Sequence, residues 1–554
     1  MYDVIVIGSG AGGLTSAICL AERGKKVLVL EKHDVPGGWC HSFYVNGQRH
    51  SPGLHYIGLL GEGESTSDLY KDLGIANDLT FFKMHPNAYE RCHLGDYKFD
   101  FPDSYEKLKI KLIARFPEEE KGIVKVIDLI DKVNHQIMMI PKLKGFWNHV
   151  LIPFRTKEMG KYGLFSLEKV LKKFIKNSVL RNILSVQCGD HALSPSKIPF
   201  PFHCALMGHY KNGAYYPMGG GGALVKAKTN RLKALGAEIR TRSGVKKILL
   251  QQNKAIGVEL ENGEQLFAEN IISNADPHTT FQRLIGEENL SKKLQKKLAK
   301  TTYSLTSLIL FLTVDMDMTK HGMHSGNIWR FTEVDIDNAL RGIINTPLLE
   351  LRELPGMFIS CTTLKDPTSF DGKNHNFEVV TLIDYEQFKP YEHLGKNRNE
   401  DYQNFKKQLC DLFMVSLEKE FPGMENHIVH IDLGTPLTNE YYINSTRGNI
   451  YGTEKTLKQI GPFAFKPQSP FENLYLTGAS ILSHGVAGAA HSGVATAAKI
   501  IGERPEELLQ VKADQKLRIL EAEDNSQWPQ DVKRKIAQKQ KKFRETEVKN
   551  KHLN

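Results

Sequence analysis

The sequence contains few cysteines and no long apolar run. It has seven cysteines in 554 residues, and no two of them have CxxC spacing. An odd number without paired spacing argues against a disulfide framework or a structural zinc site, and fits a reducing compartment. A membrane-spanning helix needs about 18 or more consecutive apolar residues, whereas the longest clean run, residues 308–314, has the length of a strand. The chain is therefore expected to be cytoplasmic, with at most peripheral contact with a membrane.

The positive charge is concentrated in two segments. The net charge is +10, and the basic excess lies in residues 141–181 and 531–554. The first segment mixes Lys and Arg with aromatic and aliphatic residues, which is typical either of an interfacial membrane segment or of a basic, solvated helix pair. The tail, residues 506–554, is predicted to be a solvated helix or a disordered arm. No recognition motif accompanies this charge, so nucleic acid is not an expected partner.

The N-terminus has the pattern of a dinucleotide-binding unit. Residues 2–7 and 26–30 are short β-branched runs of the buried-strand type, and residues 15–23 between them are helix-like. The connection after the first strand reads Gly8-Ser9-Gly10-Ala11-Gly12-Gly13, which satisfies GxGxxG. Strand, glycine-rich turn and helix in this order predict a loop that binds a pyrophosphate at a helix N-terminus.

Each glycine of this motif, and the acid after the second strand, has a physical role. Gly8 permits the tight turn, Gly10 lets the backbone approach the pyrophosphate, and Gly13 allows close packing of helix on strand. Glu31 ends the second strand, where a carboxylate accepts hydrogen bonds from ribose hydroxyls. The pair Gly37-Gly38 follows soon afterwards and favours FAD over NAD, because simple dehydrogenases do not need it. The chain is thus predicted to bind FAD.

Two later stretches complete this unit. Residues 223–235 are predicted to be a helix, followed by strands at 245–250, 256–260 and 265–268 with a hairpin turn at Asn262-Gly263, and a return to the main sheet at 270–273. Near the end, residues 473–476 form a buried strand that leads to a glycine and a helix of small residues. The N-terminus of such a helix stabilises negative charge on a reduced flavin. The predicted cofactor-binding residues are Gly8, Gly10, Ala11, Gly12, Gly13, Glu31, Lys32, Gly37, Gly38, Val245, Gly478, Ala479, Val486 and Ala487.

The sequence resembles a known group of FAD enzymes over roughly residues 1–500. The resemblance rests on Gly37-Gly38-Trp39-Cys40-His41, on Gly53-Leu54-His55-Tyr56-Ile57-Gly58, and on Cys188-Gly189-Asp190-His191 followed by Asn212-Gly213-Ala214-Tyr215-Tyr216-Pro217. These stretches resemble the phytoene desaturase, carotenoid isomerase and retinol saturase family, and most of all its retinol saturase branch.

The resemblance implies an α/β fold with two domains. It implies a discontinuous, Rossmann-like FAD-binding domain of the glutathione-reductase type, at 1–75, 205–290 and 460–505. It further implies an α+β substrate-binding domain at 76–204 and 291–459, which contains the segment 141–181. Only one GxGxxG is present, so no separate site for NAD(P)H is visible, and a redox partner or transient nicotinamide contact would supply electrons.

The resemblance also implies a lipophilic polyene as substrate. A saturase that reduces a C=C bond of a retinoid or carotenoid is the leading hypothesis, and a carotenoid desaturase or cis-trans isomerase is the alternative. Isomerase-like members often carry an acid where this chain has Ala479, which weakens that alternative. Amine oxidases share the fold, and so does a distant non-catalytic alternative, the prenyl-protein carrier of the Rab GDP dissociation inhibitor type. A carrier has no need for flavin-binding residues.

Proton transfer in such a reaction requires His, Tyr or a carboxylic acid. The catalytic candidates are His55, Tyr56, Asp190 and His191. Packing in the substrate domain is the alternative role for the first pair, and a hydrogen-bonded turn is the alternative for the second. Tyr215 and Tyr216 either line the polyene channel or pack in the core. Scattered histidines lack the spacing of a metal site, so no metal is predicted.

Overall fold

The computed structural model describes residues 1–140, 152–394, 399–510 and 512–553 of the chain. The strands in chain order are β1 Tyr2–Ile7, β2 Val27–Leu30, β3 Phe43–Val45, β4 Gln48–His50, β5 Thr80–Lys83, β6 Glu90–Leu94, β7 Tyr97–Phe101, β8 Tyr215–Pro217, β9 Glu238–Arg240, β10 Val245–Gln251, β11 Lys254–Leu260, β12 Gln265–Ser273, β13 Thr306–Val314, β14 Asn327–Phe331, β15 Gly356–Cys361, β16 His375–Ile383, β17 Ile428–Gly434, β18 Leu474–Leu476 and β19 Arg518–Glu521.

The α-helices cover the faces of the sheets. In chain order they are α1 Ala11–Glu22, α2 Ser65–Asp72, α3 Tyr105–Arg115, α4 Glu120–Met139, α5 Ile152–Arg155, α6 Lys157–Tyr162, α7 Leu167–Phe174, α8 Ser178–Ile183, α9 Phe200–His209, α10 Gly221–Ala234, α11 Lys292–Ala299, α12 Ile336–Asn345, α13 Thr362–Lys365, α14 Glu400–Glu420, α15 Pro436–Ile443, α16 Gly485–Ile501, α17 Pro505–Leu508 and α18 Gln530–Leu553.

The first sheet has the strand order β10-β11-β12-β1-β2-β9, with β18 paired to β12. Strand β1 pairs in parallel with both β2 and β12. Its last four residues are buried, as expected for a parallel strand covered on both faces. The glycine-rich turn after β1 leads into α1, which packs beside α16. The carboxyl ends of β1, β12 and β18 therefore open onto the same edge, where ligands bind in such sheets.

The second sheet has the order β17-β13-β16-β15-β14-β6-β7. Every residue of β13 is buried, and successive side chains point to opposite faces. Leu308, Leu310 and Leu312 belong to a core cluster that α14 covers with residues such as Phe413. Ile309 and Phe311, on the other face, line a large cavity. The second sheet thus forms one wall of this cavity.

The C-terminal segment packs against the body of the protein, in contrast to the predicted disordered arm. Strand β19 pairs in parallel with β5, in a small sheet ordered β19-β5-β8. Trp528 and Val532 are buried against Phe82, and the helix expected in this tail begins two residues after Trp528. The solvated-helix alternative matches α18, most of whose described residues are exposed. The disordered-arm alternative is wrong, because Trp528 and Val532 anchor the segment.

The other local predictions are confirmed with shifted bounds. Helix α1 begins at Ala11 rather than at Thr15, because the glycine loop itself enters the first turn. The meander is present as β10, β11 and β12, and β12 runs without a break from the meander into the parallel sheet. Residues 308–314 form most of β13, and the predicted mixed α/β fold class is confirmed. The division into domains stays a prediction.

The predicted membrane-contact segment 141–181 is described only from residue 152 onward, so residues 141–151 lie outside the described residues. No helix within the described ranges has the length and apolar content needed to cross a bilayer.

Candidate active site

A cavity of about 1630 Å³ runs between the two large sheets. Small-ligand sites usually have roughly 300–1,000 Å³, so this cavity has room for a dinucleotide and a second molecule. One end, called the cofactor end, is lined by Glu31, Lys32 and Val245. The other, called the substrate end, is lined by aromatic and polar side chains of the second sheet and of the segments around it. The lining residues between and beyond these ends include Gly8, Gly10, Ala11, Gly12, Gly37, Gly38, Gly478, Ala479, Val486, His55, Gly189, Asp190, Trp329, Phe358, Tyr451 and Tyr402.

The glycine loop is built so that no side chain fits. Gly8 has a φ of +91°, a conformation that favours glycine. A Cβ on Gly13 would lie 2.2 Å from the Gly8 carbonyl oxygen, and one on Gly12 would lie 2.9 Å from the Gly478 nitrogen. The first contact confirms that Gly13 serves close packing of helix on strand. The second shows that the loop also touches the C-terminal glycine segment.

Glu31 holds the loop as well as facing the cavity. Its Oε2 accepts a hydrogen bond from the Ser9 backbone nitrogen at 3.0 Å and another from the Ser9 hydroxyl, and its Oε1 accepts from the His33 nitrogen at 2.9 Å. The Ser9 hydroxyl in turn accepts from the Gly37 nitrogen at 2.9 Å. The acid predicted to bind ribose therefore also joins the loop to the glycine pair. Lys32 lies at the exposed rim and pairs with Glu261 at 3.0 Å.

The glycine segment after β18 borders the cavity beside the glycine loop. Gly478 has a φ of +99°, and its nitrogen donates to the Ser492 hydroxyl at 3.1 Å. Lys455 donates to the Ala479 carbonyl oxygen at 2.6 Å, and burial lowers the pKa of this lysine to about 7. Val486, in the first turn of α16, lines the cavity. Ala487 follows it there but is not among the lining residues.

These residues fit an FAD molecule. Gly8, Gly10 and Gly12 present the loop backbone to the cavity, α1 starts at this loop, and Glu31 follows the adjacent strand at the same edge. Asn274 lies between Gly10 and Gly478, and its buried Oδ1 has no hydrogen-bond partner among the described residues. A buried polar atom is normally satisfied, which points to a bound polar group at this place. The strand predicted from the sequence ends at residue 273, and the sequence prediction does not assign Asn274 to the site.

His55 lines the substrate end of the cavity. Its Nδ1 is 2.9 Å from Glu378 Oε2, and Glu378 is completely buried in β16. Lys365 donates to the His55 carbonyl oxygen at 2.7 Å and to the Ser360 hydroxyl at 2.6 Å, and burial lowers the pKa of Lys365 to about 7. Sequence reasoning missed Glu378 and Lys365. A lone carboxyl inside the apolar run of β16 was the available signal.

Asp190 and Tyr56 form a hydrogen-bonded pair beside His55. The Tyr56 hydroxyl donates to Asp190 Oδ2 at 2.5 Å, and the Tyr56 ring stacks on Tyr210 with centroids 4.5 Å apart. Asp190 lines the cavity, whereas Tyr56 lies behind it in the core. Burial raises the pKa of Asp190 to about 7, against a lowering effect of the Tyr56 hydrogen bond. The site therefore holds a carboxyl group that keeps its proton near neutral pH.

His191 takes no part in the cavity lining. Its Nδ1 lies 3.2 Å from His484 Nε2, which is 2.8 Å from the Asp190 carbonyl oxygen. Burial lowers the pKa of His191 well below its ordinary value, so its ring is neutral and holds the Asp190 turn in place. Tyr215 and Tyr216 are buried in β8 and pair with β5. They pack in the core, and the channel-lining alternative is not supported.

A second buried carboxyl lies close to Asp190. Glu90, at the start of β6, is 0% exposed. Burial first, and then the charge of Asp190, raise its pKa well above the ordinary value, while Tyr56 lowers it. Sequence reasoning missed Glu90, because the sequence distance between residues 56, 90 and 190 gives no sign of their proximity. Among the described residues, no group of three or more His, Cys, Asp or Glu side chains could hold a metal ion.

Comparisons with known proteins identify the family of the chain. The family model described as flavin containing amine oxidoreductase matches residues 11–501. The chain is 30% identical over 527 residues to all-trans-retinol 13,14-reductase of Rattus norvegicus, covering 90% of this chain and 85% of the relative. It is 27% identical to the chloroplastic prolycopene isomerase of Daucus carota, covering 91% and 80% of the two chains.

Solved structures of low identity share the fold. An oxidoreductase from Methanosarcina mazei has a TM-score of 0.60 at 17% identity, covering 90% of this chain and 100% of that one. A Rab GDI from Plasmodium falciparum has a TM-score of 0.51 at 11% identity, covering 91% and 98%. The glycine loop, the cavity and these matches together show that the chain belongs to the flavin containing amine oxidoreductase family and is an FAD-dependent oxidoreductase.

Proposed function

We propose that the protein reduces a C=C bond of a lipophilic, retinoid-like polyene. The observation that carries this proposal is Asp190, a proton-bearing carboxyl on the wall of the cavity that also contains the glycine loop. The similarity to an all-trans-retinol 13,14-reductase at 30% identity supports the substrate class. Trp329 and Phe358 lie in the same wall, and aromatic side chains of this kind suit a flat, conjugated hydrocarbon.

The addition of hydrogen to a double bond requires a hydride and a proton. FAD, when bound and reduced, supplies the hydride equivalent. Asp190 gives its proton to the other carbon of the double bond, and its pKa of about 7 keeps the donating form populated at neutral pH. His55 shapes the wall beside it, since its Nδ1 is engaged by Glu378. The surrounding apolar side chains exclude water from the reacting bond.

The same residues would serve the reverse desaturation, and a cis-trans isomerisation would need no net proton transfer. The similarity to a prolycopene isomerase makes isomerisation the second candidate. The non-catalytic carrier is the weakest candidate, because its likeness to this chain concerns the fold alone. The flavin-binding geometry around Glu31 and Gly13 has no use in such a carrier. Electrons would come from a redox partner or a transient nicotinamide contact.

Peripheral membrane contact belongs to the same proposal. Phe154 and Leu164 are each 79% exposed, and Phe165 is 45% exposed. Arg155 and Lys161 are exposed in the same stretch. Large apolar side chains next to basic ones suit an anionic lipid surface, from which a lipophilic polyene would enter the protein.

An anaerobic reaction of the flavin-loaded protein tests the function. The bound flavin is reduced photochemically, all-trans-retinol is added, and flavin and polyene absorbance are followed together. Reoxidation of the flavin with a shortened polyene chromophore is the expected result. A flavin that stays reduced while the retinol or carotenoid changes its isomer composition would establish isomerisation instead. A colourless protein that takes up no FAD would support the carrier.

A further inference from the structure

Glu90 has the placement of a functional carboxyl rather than of a structural one. Structural buried carboxylates are paired or hydrogen-bonded, yet neither carboxyl oxygen of Glu90 has a hydrogen bond of ordinary geometry to any described residue. The Tyr56 hydroxyl and the Asn327 amide lie close enough to lower the pKa of Glu90. The Tyr56 hydroxyl thus acts on both carboxyl groups, as donor to Asp190 and as a neighbour that lowers the pKa of Glu90.

The position of Glu90 follows from the sheet. Strand β6 pairs with β14, with Glu90 opposite Asn327, and with β7, with Glu90 opposite Phe101. It is therefore held in an interior strand and, like Tyr56, does not line the cavity. Among the ionisable groups of the surrounding elements, Tyr56 and Lys365 lower the pKa of Glu90. The charges of Glu90 or Asp190 in turn raise the pKa values of five neighbours, namely Tyr89, Cys92, Cys188, Tyr210 and Tyr451.

We propose that Glu90, Tyr56 and Asp190 form a proton relay in which Glu90 resupplies the proton that Asp190 gives to the substrate. This inference rests on the proposed reduction of a polyene. It goes beyond it by assigning a proton reservoir that does not touch the cavity, so that proton supply does not require water to enter beside the reacting bond.

The relay conserves protons at each step. Asp190 loses its proton to the substrate carbon, where a new C–H bond forms. The Tyr56 O–H proton passes to the Asp190 carboxylate, and the Glu90 carboxyl proton passes to the Tyr56 oxygen. Glu90 is left as an anion, and Lys365, whose charge lowers the pKa of Glu90, stabilises that anion until a proton returns.

The relay predicts a distinctive pH profile. The two carboxyls hold two protons at low pH, and the proton that remains after the first is lost moves between them through Tyr56. Because burial and the charge of Asp190 raise the pKa of Glu90 well above its ordinary value, Glu90 holds a second proton, and polyene reduction in the wild type is expected to extend to higher pH than Asp190 alone would allow. In Glu90→Gln no second proton is available, so the high-pH limb falls to the titration of Asp190 itself, at about pH 7.

Glu90→Gln is therefore compared with wild type and with Asp96→Asn, a carboxyl exposed at the turn after β6. The expected result for Glu90→Gln is a kcat reduced about tenfold or more above neutral pH, with KM and flavin content unchanged. Tyr56→Phe interrupts the relay but also removes the hydrogen bond that lowers the pKa of Asp190, so it is expected to reduce kcat while its high-pH limb lies above that of Glu90→Gln. Asp96→Asn is expected to give the wild-type profile. Identical limbs in wild type and Glu90→Gln would overturn the relay.

A measurement without turnover separates this inference from the proposed function. The carboxyl absorption of the flavin-loaded protein is followed by infrared difference spectroscopy during a pH titration. Removal of the Asp190 charge in Asp190→Asn is expected to lower the pH at which Glu90 titrates, since that charge raises the pKa of Glu90. An unshifted Glu90 titration would refute the coupling even if the polyene is reduced. A shifted titration in a protein that reduces no polyene would refute the proposed function and leave the coupled pair intact.

Discussion

The two ends of the cavity are built from different materials. The cofactor end consists largely of backbone. Gly12, Gly13 and Gly478 leave no room for a Cβ, Gly8 has a positive φ, and Glu31 holds the loop by accepting main-chain hydrogen bonds. The substrate end, together with the core around it, holds buried or half-buried ionisable side chains from five separate segments, namely His55 and Tyr56, Glu90, Asp190, Lys365 and Glu378.

Because of this difference, the two ends should respond to different kinds of substitution. A backbone site is sensitive to volume, so that one added methyl group disturbs it. A site of buried ionisable groups is sensitive to charge and protons, so that a substitution of equal shape alters its chemistry. Flavin retention and proton transfer should therefore be separable by mutation.

The largest effect is expected for Asp190→Asn. The amide keeps the shape of the side chain but cannot donate a proton in the same way, so polyene reduction should fall by about 10²- to 10⁴-fold. Because the acid form is the active one, wild-type activity is lost as pH rises, and the variant should lose this pH dependence. Flavin absorbance and single-turnover rates measure both properties. Loss of flavin in this variant would contradict the separation of the two ends.

The converse change is Gly13→Ala. The new Cβ would lie 2.2 Å from the Gly8 carbonyl oxygen, and both are backbone-fixed, so the loop must move at a cost of about 3 kcal/mol. The free energy of unfolding and the flavin content of the purified protein should both fall. Gly160→Ala is the control, because a Cβ there meets no atom within 4 Å. A stable, fully flavin-loaded Gly13→Ala protein would show that the loop is not tightly packed.

Glu31→Ala should weaken FAD binding without unfolding the protein. The variant loses charge-assisted hydrogen bonds worth about 1.5–3 kcal/mol, which corresponds to roughly a 10- to 100-fold higher Kd. Titration of the flavin-free protein with FAD measures the Kd. Glu264→Ala changes an exposed carboxyl of the meander and should bind FAD as the wild type does. An unchanged Kd in Glu31→Ala would mean that the N-terminal assignment is wrong.

The smallest effect concerns the surface rather than either end. Replacement of Phe154 and Leu164 by Ser removes two exposed apolar side chains and should weaken binding to vesicles of anionic lipid by about tenfold. Flavin content and reduction of detergent-solubilised retinol should not change. Phe463→Ser is the matched control, since Phe463 is 63% exposed and lies outside this stretch. Equal vesicle binding by both variants would argue for a solvated basic surface.

The cofactor end was predictable almost residue by residue. Residues 2–31 form a continuous strand, turn, helix and strand, and the tasks of Gly13 and Glu31 depend on neighbours in the same unit. The structure added Ser9 as the link to Gly37 and placed Ala487 outside the cavity lining. The substrate end was predictable only in part. His55 and Asp190 were expected from a resemblance, whereas Glu90, Lys365 and Glu378 carried no local pattern that marks a site.

The packing of the C-terminal tail was likewise not predictable from the sequence. Its charge density predicted a solvated or disordered segment, yet Trp528 and Val532 anchor it. Single apolar residues have meaning only when their partners are known, and the partner here is Phe82, more than four hundred residues earlier in the chain.

The sequence by itself determined the FAD-binding unit, because turn geometry, helix start and strand end are local consequences of glycine and of a few neighbouring side chains. The proximity of the Glu90 and Asp190 carboxyl groups, in contrast, arises only in the folded chain. Glu90 is removed from water because β6 lies between β14 and β7, and the fold places it near enough to Asp190 for the charge of Asp190 to raise its pKa. Proximity and burial together set the protonation of these groups, and neither is a property of any single stretch of the chain.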